Sequence, residues 1–217
     1  MAITYRRMRA RDWPGITDLA HDQWEFDLNT SPEGRRLAAD VDVRVLLRES
    51  PHGFVAVDEE DDGRVIGMCT CSGPKPLDRR IQGHHEVALA KALEAAEQID
   101  EQTGEQMRGF EREMREFRQR SAAKRTRDYD GEITMFLVDP AYRGKGIGRE
   151  LFRMSKDWLR DQGCRWVFLD TDDDQNYRFY DRDGWTRTVE FPEKLTLFGK
   201  EYTNTSMVYE KDLTAED

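Results

Sequence analysis

The stretch that most constrains this chain runs from Glu132 to Gly148, E-I-T-M-F-L-V-D-P-A-Y-R-G-K-G-I-G. It opens with an apolar run (Ile133, Met135, Phe136, Leu137, Val138) that is too short for a helix and suits a largely buried strand. Asp139-Pro140 stops the run, because proline has no N–H and biases the residue before it toward extended backbone. Arg143, Gly144, Lys145, Gly146 and Gly148 follow and lead into a helix whose apolar positions Ile147, Leu151, Met154 and Trp158 keep helical spacing. The glycines leave backbone N–H groups unshielded, the helix start adds partial positive charge, and Arg143 and Lys145 add full charges at the same place. Together these features make a cradle for a phosphate or pyrophosphate.

Three loop patterns compete for this bend, besides a plain helix-entry turn with no ligand. A nucleotide P-loop needs Ser or Thr after the lysine, where this chain has Gly146, and is rejected. A dinucleotide site of the G-x-G-x-x-G kind would use Gly146 and Gly148, with Asp170 closing the next strand at a suitable distance. However, Leu151 stands where its third small residue belongs. An arginine-led R-x-x-G-x-G loop is met without exception by Arg143, Gly146 and Gly148.

Composition sets the outer limits. A chain of 217 residues can bury roughly 70% of the surface its unfolded form exposes. The charged fraction, 36%, nearly equals the hydrophobic fraction, 37%, yet five Trp and ten Phe argue for a real core, so one segment must be unusually polar. A net charge of −10 argues against a nucleic-acid or anionic-membrane binder. Cys69, Cys71 and Cys164, with four scattered histidines, give neither a disulfide framework nor a metal-ligand spacing, so the expectation is buried free thiols, no metal and a cytoplasmic protein. No apolar run follows the basic Met1 to Arg11 stretch, and none approaches the length of a membrane span.

Taken in order, Ile3 to Met8 reads as a first strand, and Asp12 as the N-cap of a helix striped by Ile16, Leu19, Ala20 and Trp24. Ser31-Pro32-Glu33 opens a second helix that Pro51 ends. Gly53 to Val57 and Val65 to Cys71 form an antiparallel hairpin around an acidic tip. Gly73-Pro74-Lys75-Pro76 breaks the pattern, and from about Glu86 to Lys124 the chain is rich in Ala, Glu, Gln, Lys and Arg and strongly helical. Its apolar positions fall in two sets. Val87, Leu89, Leu93, Ala96 and Ile99 make the first; Met107, Phe110, Met114 and Phe117 make the second. Thr103-Gly104 is a possible turn between them, so the segment should be one bent helix or a helical hairpin. The second set is a narrow seam, enough to dock on the body of the protein or on a second copy in a homodimer, but not to form a separate core. Beyond the glycine bend come a helix stopped by Gly163, a strand from Arg165 to Asp170 and an acidic run (Asp172, Asp173, Asp174) suited to a helix start. A short helix from Gln175 to Arg182 follows, then strands at Trp185 to Phe191 and Thr205 to Tyr209. Strand, helix and strand in series imply a right-handed parallel crossover. The fold class is therefore mixed α/β: a mostly antiparallel central sheet with one parallel crossover, plus a long helical insertion at about 74–130 within a single domain spanning 1–217.

Three stretches carry a resemblance. The R-x-x-G-x-G loop, the segment Phe179-Tyr180-Asp181-Arg182-Asp183-Gly184-Trp185 (F-Y-x-x-x-G-[FW]) and the strand start Glu132-Ile133-x-x-Phe136 are similar to those of the GCN5-related N-acetyltransferases (GNAT family). The order of elements over most of the chain resembles that family's acyl-CoA N-acyltransferase fold. The chain departs from the pattern in two places. Asp173 stands where the family often has Asn, the nearest being Asn176, and the insertion replaces a short hairpin turn.

The resemblance implies transfer of an acetyl group from acetyl-CoA to a primary amine of a small molecule or protein, the acceptor being unspecified. It implies phosphate contacts from the N–H groups of Arg143, Gly144, Lys145, Gly146, Ile147 and Gly148, and a thioester lying against free backbone near Leu137 and Val138, one N–H of which polarises its carbonyl. Asn176, four residues before Tyr180 and so on one helix face with it, would reach the cofactor arm. Tyr180 would protonate the leaving thiolate and Glu132 would be the base, directly or through water. Two rivals from other classes are a CoA-binding regulatory protein without turnover and a Rossmann-type dinucleotide protein.

Overall fold

The computed structural model describes residues 2–23, 30–50, 52–75 and 79–214; the expectations placed on Trp24 and Pro51 lie outside them. The strands are β1 (Ile3–Arg7), β2 (His52–Asp58), β3 (Arg64–Ser72), β4 (Gly131–Val138), β5 (Trp166–Asp172), β6 (Thr186–Leu197) and β7 (Lys200–Asp212). The helices are α1 (Trp13–Gln23), α2 (Pro32–Leu47), α3 (Arg79–Ile99), α4 (Glu101–Ala122), α5 (Ile147–Asp161) and α6 (Arg178–Arg182). The strands form one sheet in the order β1-β2-β3-β4-β5-β7-β6. Every neighbouring pair is antiparallel except β4 and β5, which are parallel. That order is not a doubly wound sheet, so the dinucleotide alternative falls with it.

The β4–β5 pairing places the site. Their register covers only Gly131 opposite Val167 and Glu132 opposite Phe168. Beyond Glu132 the two strands part, and the β5-facing edge of β4 is left to other partners.

Helices cover both faces. Ile147, Leu151, Phe152 and Leu159 of α5 bury against Phe54, Ala56, Ile66, Cys69 and Cys71 of β2 and β3. On the opposite face Ile16, Leu19 and Ala20 of α1, with Val43 and Leu47 of α2, pack on Val55, Val65, Met68, Met135 and Leu137. Cys69 and Cys71 share a face, as their spacing requires, and all three cysteines are free and buried.

The insertion is a helical hairpin, α3 and α4. Its break is at Asp100, whose carboxylate accepts from the N–H of Thr103 at 2.7 Å, rather than at Thr103-Gly104, which form part of the first turn of α4. Gly104 is needed for close packing, because a Cβ there would stand 2.8 Å from Glu97 Cγ on α3. Leu89, Ala92 and Ala96 meet Met107 and Phe110, and both sets meet Ala38, Val41 and Val45 of α2. Val87 departs from its expected set and is 57% exposed. The narrow seam of α4 thus docks on the body of the protein.

Smaller expectations also shift. Ser31 caps α2 as read, accepting from Gly34 N–H at 3.1 Å. Asp12 instead closes a short 3-10 turn, accepting from Arg9 N–H at 2.7 Å while Arg6 holds it through two 2.7 Å hydrogen bonds. The last two strands run well beyond their expected limits. They join at Phe198-Gly199, where both residues take positive φ, the geometry of a tight hairpin turn. The Phe198 ring stacks on Phe110 of α4 with centroids 4.3 Å apart, tying the β6–β7 hairpin to the insertion.

Candidate active site

The glycine bend is built by local chemistry. Asp139 accepts from Ala141 N–H at 2.8 Å, closing a 3-10 turn at Pro140–Tyr142, and Arg64 on β3 donates to the same carboxylate at 2.6 Å. The Tyr142 hydroxyl donates to Asp58 at 2.8 Å, and the Lys145 ammonium lies 4.6 Å from the centre of its ring. Gly144 and Gly146 then take φ of 78° and 81°, a left-handed conformation that side chains resist. A Cβ at either would meet nothing within 4 Å, so the open side of the bend has room for a ligand that only a substitution would fill. Gly148 is required for the opposite reason: a Cβ there would stand 2.9 Å from Phe136 Cζ. That contact presses the first turn of α5 onto β4, aiming its unpaired N–H groups into the gap beyond the parallel pairing. An anionic diphosphate fits such a cradle.

The bend forms one wall of a cavity of about 1280 Å³. Ten of the eleven residues singled out from sequence line it: Glu132, Leu137, Val138, Arg143, Gly144, Gly146, Ile147, Gly148, Asn176 and Tyr180. Lys145 contributes to the bend but not to the lining, its side chain being turned onto Tyr142.

Asn176 lines the cavity from a turn, not from a helix face shared with Tyr180, because α6 starts only at Arg178. The acidic run before it does not cap that helix either. Asp172 accepts from Asp174 N–H at 3.0 Å, and Asp173 accepts from Thr205 N–H at 2.8 Å on β7.

The segment from Phe179 to Trp185 has a physical explanation. Gly184, at φ 74°, follows the end of α6; its N–H reaches Asp181 O at 3.3 Å, and Trp185 N–H reaches Tyr180 O at 3.1 Å. This is a Schellman closure, which needs glycine at the left-handed position and an apolar residue after it. Trp185 is buried, and its indole N–H donates to Asp183 at 3.1 Å, the carboxylate that Lys156 of α5 also holds at 2.7 Å. The closure fixes the backbone of Tyr180, whose ring sits among Phe152 (5.8 Å), Phe179 (5.6 Å) and Tyr209 (5.6 Å). Burial pushes the Tyr180 hydroxyl above the ordinary phenol range, with Cys69, Asp172 and Tyr209 acting in the same direction, so it keeps its proton at neutral pH.

Glu132 owes its position to a bulge. Thr70 pairs with Met135 but Cys71 with Ile133, so Thr134 is an extra residue on β4. Ile133 consequently packs on the α5 face, whereas Met135 and Leu137 pack on the α1–α2 face. With alternation broken at Thr134, Glu132 faces the side of α2 and α4, opposite to the α5 side where Tyr180 packs. The two groups thus approach the gap from opposite faces of the sheet.

Around Glu132 lies an ionic cluster supplied by the insertion. Arg118 of α4 bonds Glu132 at 3.3 Å and also bonds Glu49. Ser121 donates to Asp170 at 2.6 Å, and Arg125 stands 3.5 Å from the same carboxylate. Burial raises Glu132 above the usual carboxylate range, and Arg118 opposes that rise. Burial raises Asp170 in the same way. Of these groups only Asp170 was singled out from sequence, and for a different role. The available signal was the spacing of Arg118 and Ser121, which share one face of α4 as i and i+3, with Arg125 just past the helix end.

A glycine cradle at a helix N-terminus, opening into a gap between two parting parallel strands and faced by a phenol and a carboxylate, defines an acyl-CoA-dependent acyltransferase site. Residues 111–185, which include the bend and the Schellman segment, match the family model described as Acetyltransferase (GNAT) family. No curated protein matches it. Several solved structures share its fold. A GCN5-related N-acetyltransferase from Kribbella flavida superposes with a TM-score of 0.54 at 17% identity, covering 97% of this chain and 98% of that one. An N-acetyltransferase from Staphylococcus aureus gives 0.53 at 14% identity, covering 98% and 99%. The yncA protein of Salmonella typhimurium, solved with its cofactor acetyl-CoA, gives 0.52 at 16% identity, covering 100% and 97%.

Proposed function

We propose that this protein transfers the acetyl group of acetyl-CoA to a primary amine, and that the residues around the β4–β5 gap carry the reaction. The observation that carries the reading is the bend itself: two left-handed glycines with open space over them, at the start of α5, beside a strand edge that lacks a sheet partner.

In this reading the N–H groups from Arg143 to Gly148 bind the diphosphate, with the Arg143 side chain in support, and Asn176 flanks the cofactor arm. The free edge of β4 at Leu137 and Val138 receives the thioester, and one of its N–H groups polarises the carbonyl. The amine nitrogen attacks the carbonyl carbon, forming C–N, and its proton passes to Glu132. As C–S breaks, Tyr180 gives its proton to the thiolate. The raised phenol is fully protonated, and so able to donate, when negative charge develops on the departing sulfur. Base and acid on opposite faces of the sheet match the geometry of the exchange, in which nucleophile and leaving group occupy different sides of one carbon.

We read the whole chain as one acetyltransferase domain whose helical hairpin walls the acceptor side, since Phe110, Met114, Phe117 and Arg118 line the cavity. We assign it to a reducing compartment, the cytoplasm, on its three buried free thiols. Among the described residues no helix is long and apolar enough to cross a membrane.

The test is thiol release from acetyl-CoA with a panel of primary amines, together with calorimetry of acetyl-CoA alone. Binding with amine-dependent thiol release is expected. Binding with no release from any amine would leave a CoA-binding regulatory protein, and no binding would remove the assignment.

A further inference from the structure

The cavity extends past Glu132 into a chamber between α2, α4 and the β6–β7 hairpin. Its walls are largely apolar, from Leu46, Phe110, Met114, Phe117, Leu195 and Phe198. Asp42 of α2 also lines it. Asp42 is 9% exposed and has no hydrogen bond or ion pair among the described residues. A buried carboxylate without a partner is costly, and proteins seldom retain one by accident.

The cations nearby are engaged elsewhere. Arg44 pairs with Asp40 at 3.2 Å and lies over the Trp13 ring at 4.8 Å. Arg48 pairs with Glu111 at 3.0 Å, and Arg118 is shared by Glu49 and Glu132. Burial alone pushes Asp42 up to about 7, with no neighbouring cation to lower it. Two other buried groups on the lining lack partners, the Nε2 of Gln23 and the Oδ1 of Asn204. Asn204 Oδ1, like Asp42, can only accept.

Asp42 lies in the last two turns of α2 and Glu49 in the turn just after its end, seven residues on, which separates them by roughly 10 Å along the helix direction. Leu46, four residues after Asp42, lines the space between them. Arg118 joins Glu49 to Glu132. The chamber therefore has an acceptor of N–H bonds at its far end, an apolar middle, and the reacting centre at its near end.

We propose that the natural acceptor is a dication, a primary amine whose chain ends in a second ammonium or guanidinium group held by Asp42 while the reacting nitrogen lies beside Glu132. This rests on the acetyl-transfer reading and names the substrate class of that same site.

The experiment compares α,ω-diamines from propane to octane, with agmatine as the guanidinium member, against n-alkyl monoamines of matching length, in the wild type and in Asp42→Asn. The wild type is expected to favour the best diamine over its monoamine by at least about tenfold in kcat/KM, the scale of one charge-assisted hydrogen bond. Asp42→Asn, nearly isosteric, should erase that preference by raising the diamine KM, with monoamine turnover and acetyl-CoA affinity within about twofold of wild type. Equal turnover of both amines in the wild type, or a preference that survives in Asp42→Asn, overturns the proposal. If acetyl-CoA binds but no amine is turned over, the acetyl-transfer reading fails instead, and calorimetry of the diamines decides on Asp42 alone. Binding lost in Asp42→Asn keeps the subsite, and absent or unchanged binding removes it.

Discussion

The two ends of the cavity are built by different means. The cofactor end comes from one continuous stretch: β4, the bend and the start of α5 are adjacent in sequence, and their geometry follows from Asp139, Pro140 and three glycines over a few residues. The acceptor end is assembled from α2, α4, the first residues of β4 and the β6–β7 hairpin, which are distant in sequence and meet only through packing. The first is a fixed device for an invariant ligand. The second can vary its chemistry residue by residue without disturbing the sheet, as expected of a fold that serves many acceptors.

The sharpest way to break this contrast is at the cofactor end. Gly146→Glu places a side chain at φ 81° and a carboxylate in the open space proposed for the phosphates. Steric filling and charge repulsion act together, so acetyl-CoA binding should disappear in calorimetry, while the left-handed backbone lowers the melting temperature by only about a few degrees because the side chain meets open space. Retained affinity would remove the bend from the site.

Next in size is Tyr180→Phe. The ring packing is kept and only the proton donor is lost, so acetyl-CoA should bind as before while kcat falls by about 10²- to 10⁴-fold, the usual contribution of a positioned acid. An unaltered kcat would reduce Tyr180 to a packing residue.

The same contrast explains what could be read before the structure was known. Gly148 and Phe136 belong to one local motif, so the bend, the strand, the following helix and the crossover were all visible in the sequence. So was the Schellman segment around Tyr180, because a closure spanning a few residues leaves glycine and an aromatic at fixed offsets. The bulge at Thr134 was not visible, because it depends on how β3 pairs with β4 and nothing in E-I-T-M-F announces it. Nor was the break at Asp100 preferred over Thr103-Gly104. Glycine suggested a turn, but here it permits close packing of α3 on α4 instead. Arg118 and Asp42 were missed for a third reason: each looks like an ordinary surface charge on a helix until the tertiary fold buries it.

At the acceptor end, Asp42→Asn should also act on stability. The carboxyl is protonated in both folded and unfolded states below its usual value of 3.8 and ionised in both above about 7, its folded value. Between those limits the unfolded chain gives up its proton first, so the native state loses stability as pH rises. A rise from 3.8 to about 7 would amount to about 4 kcal/mol at most, and water admitted by the cavity reduces that. Asp42→Asn should therefore melt higher than wild type at pH 8, by several degrees, and equal it near pH 4. A difference independent of pH would mean that burial does not shift the carboxyl, and a wild type that melts higher at pH 8 would mean that the carboxylate is paired. Gaining stability while losing substrate preference is the expected exchange at a binding site.

The smallest effect tests the link between the two ends, Arg118. Its charge lowers Glu132 against the rise imposed by burial, so Arg118→Gln should let Glu132 rise further. A base must be deprotonated to act, so the acidic limb of kcat/KM should move to higher pH, with the loss greatest on the acid side and recovered as pH rises. Removing one partner of a buried cluster also destabilises the fold, so the diagnostic readout is the shift of the limb, not the height of the plateau. Glu132→Gln should flatten the same limb in the wild-type background. If Arg118→Gln lowers activity equally at every pH, Glu132 does not titrate in the reaction, and the insertion serves the site only by shape.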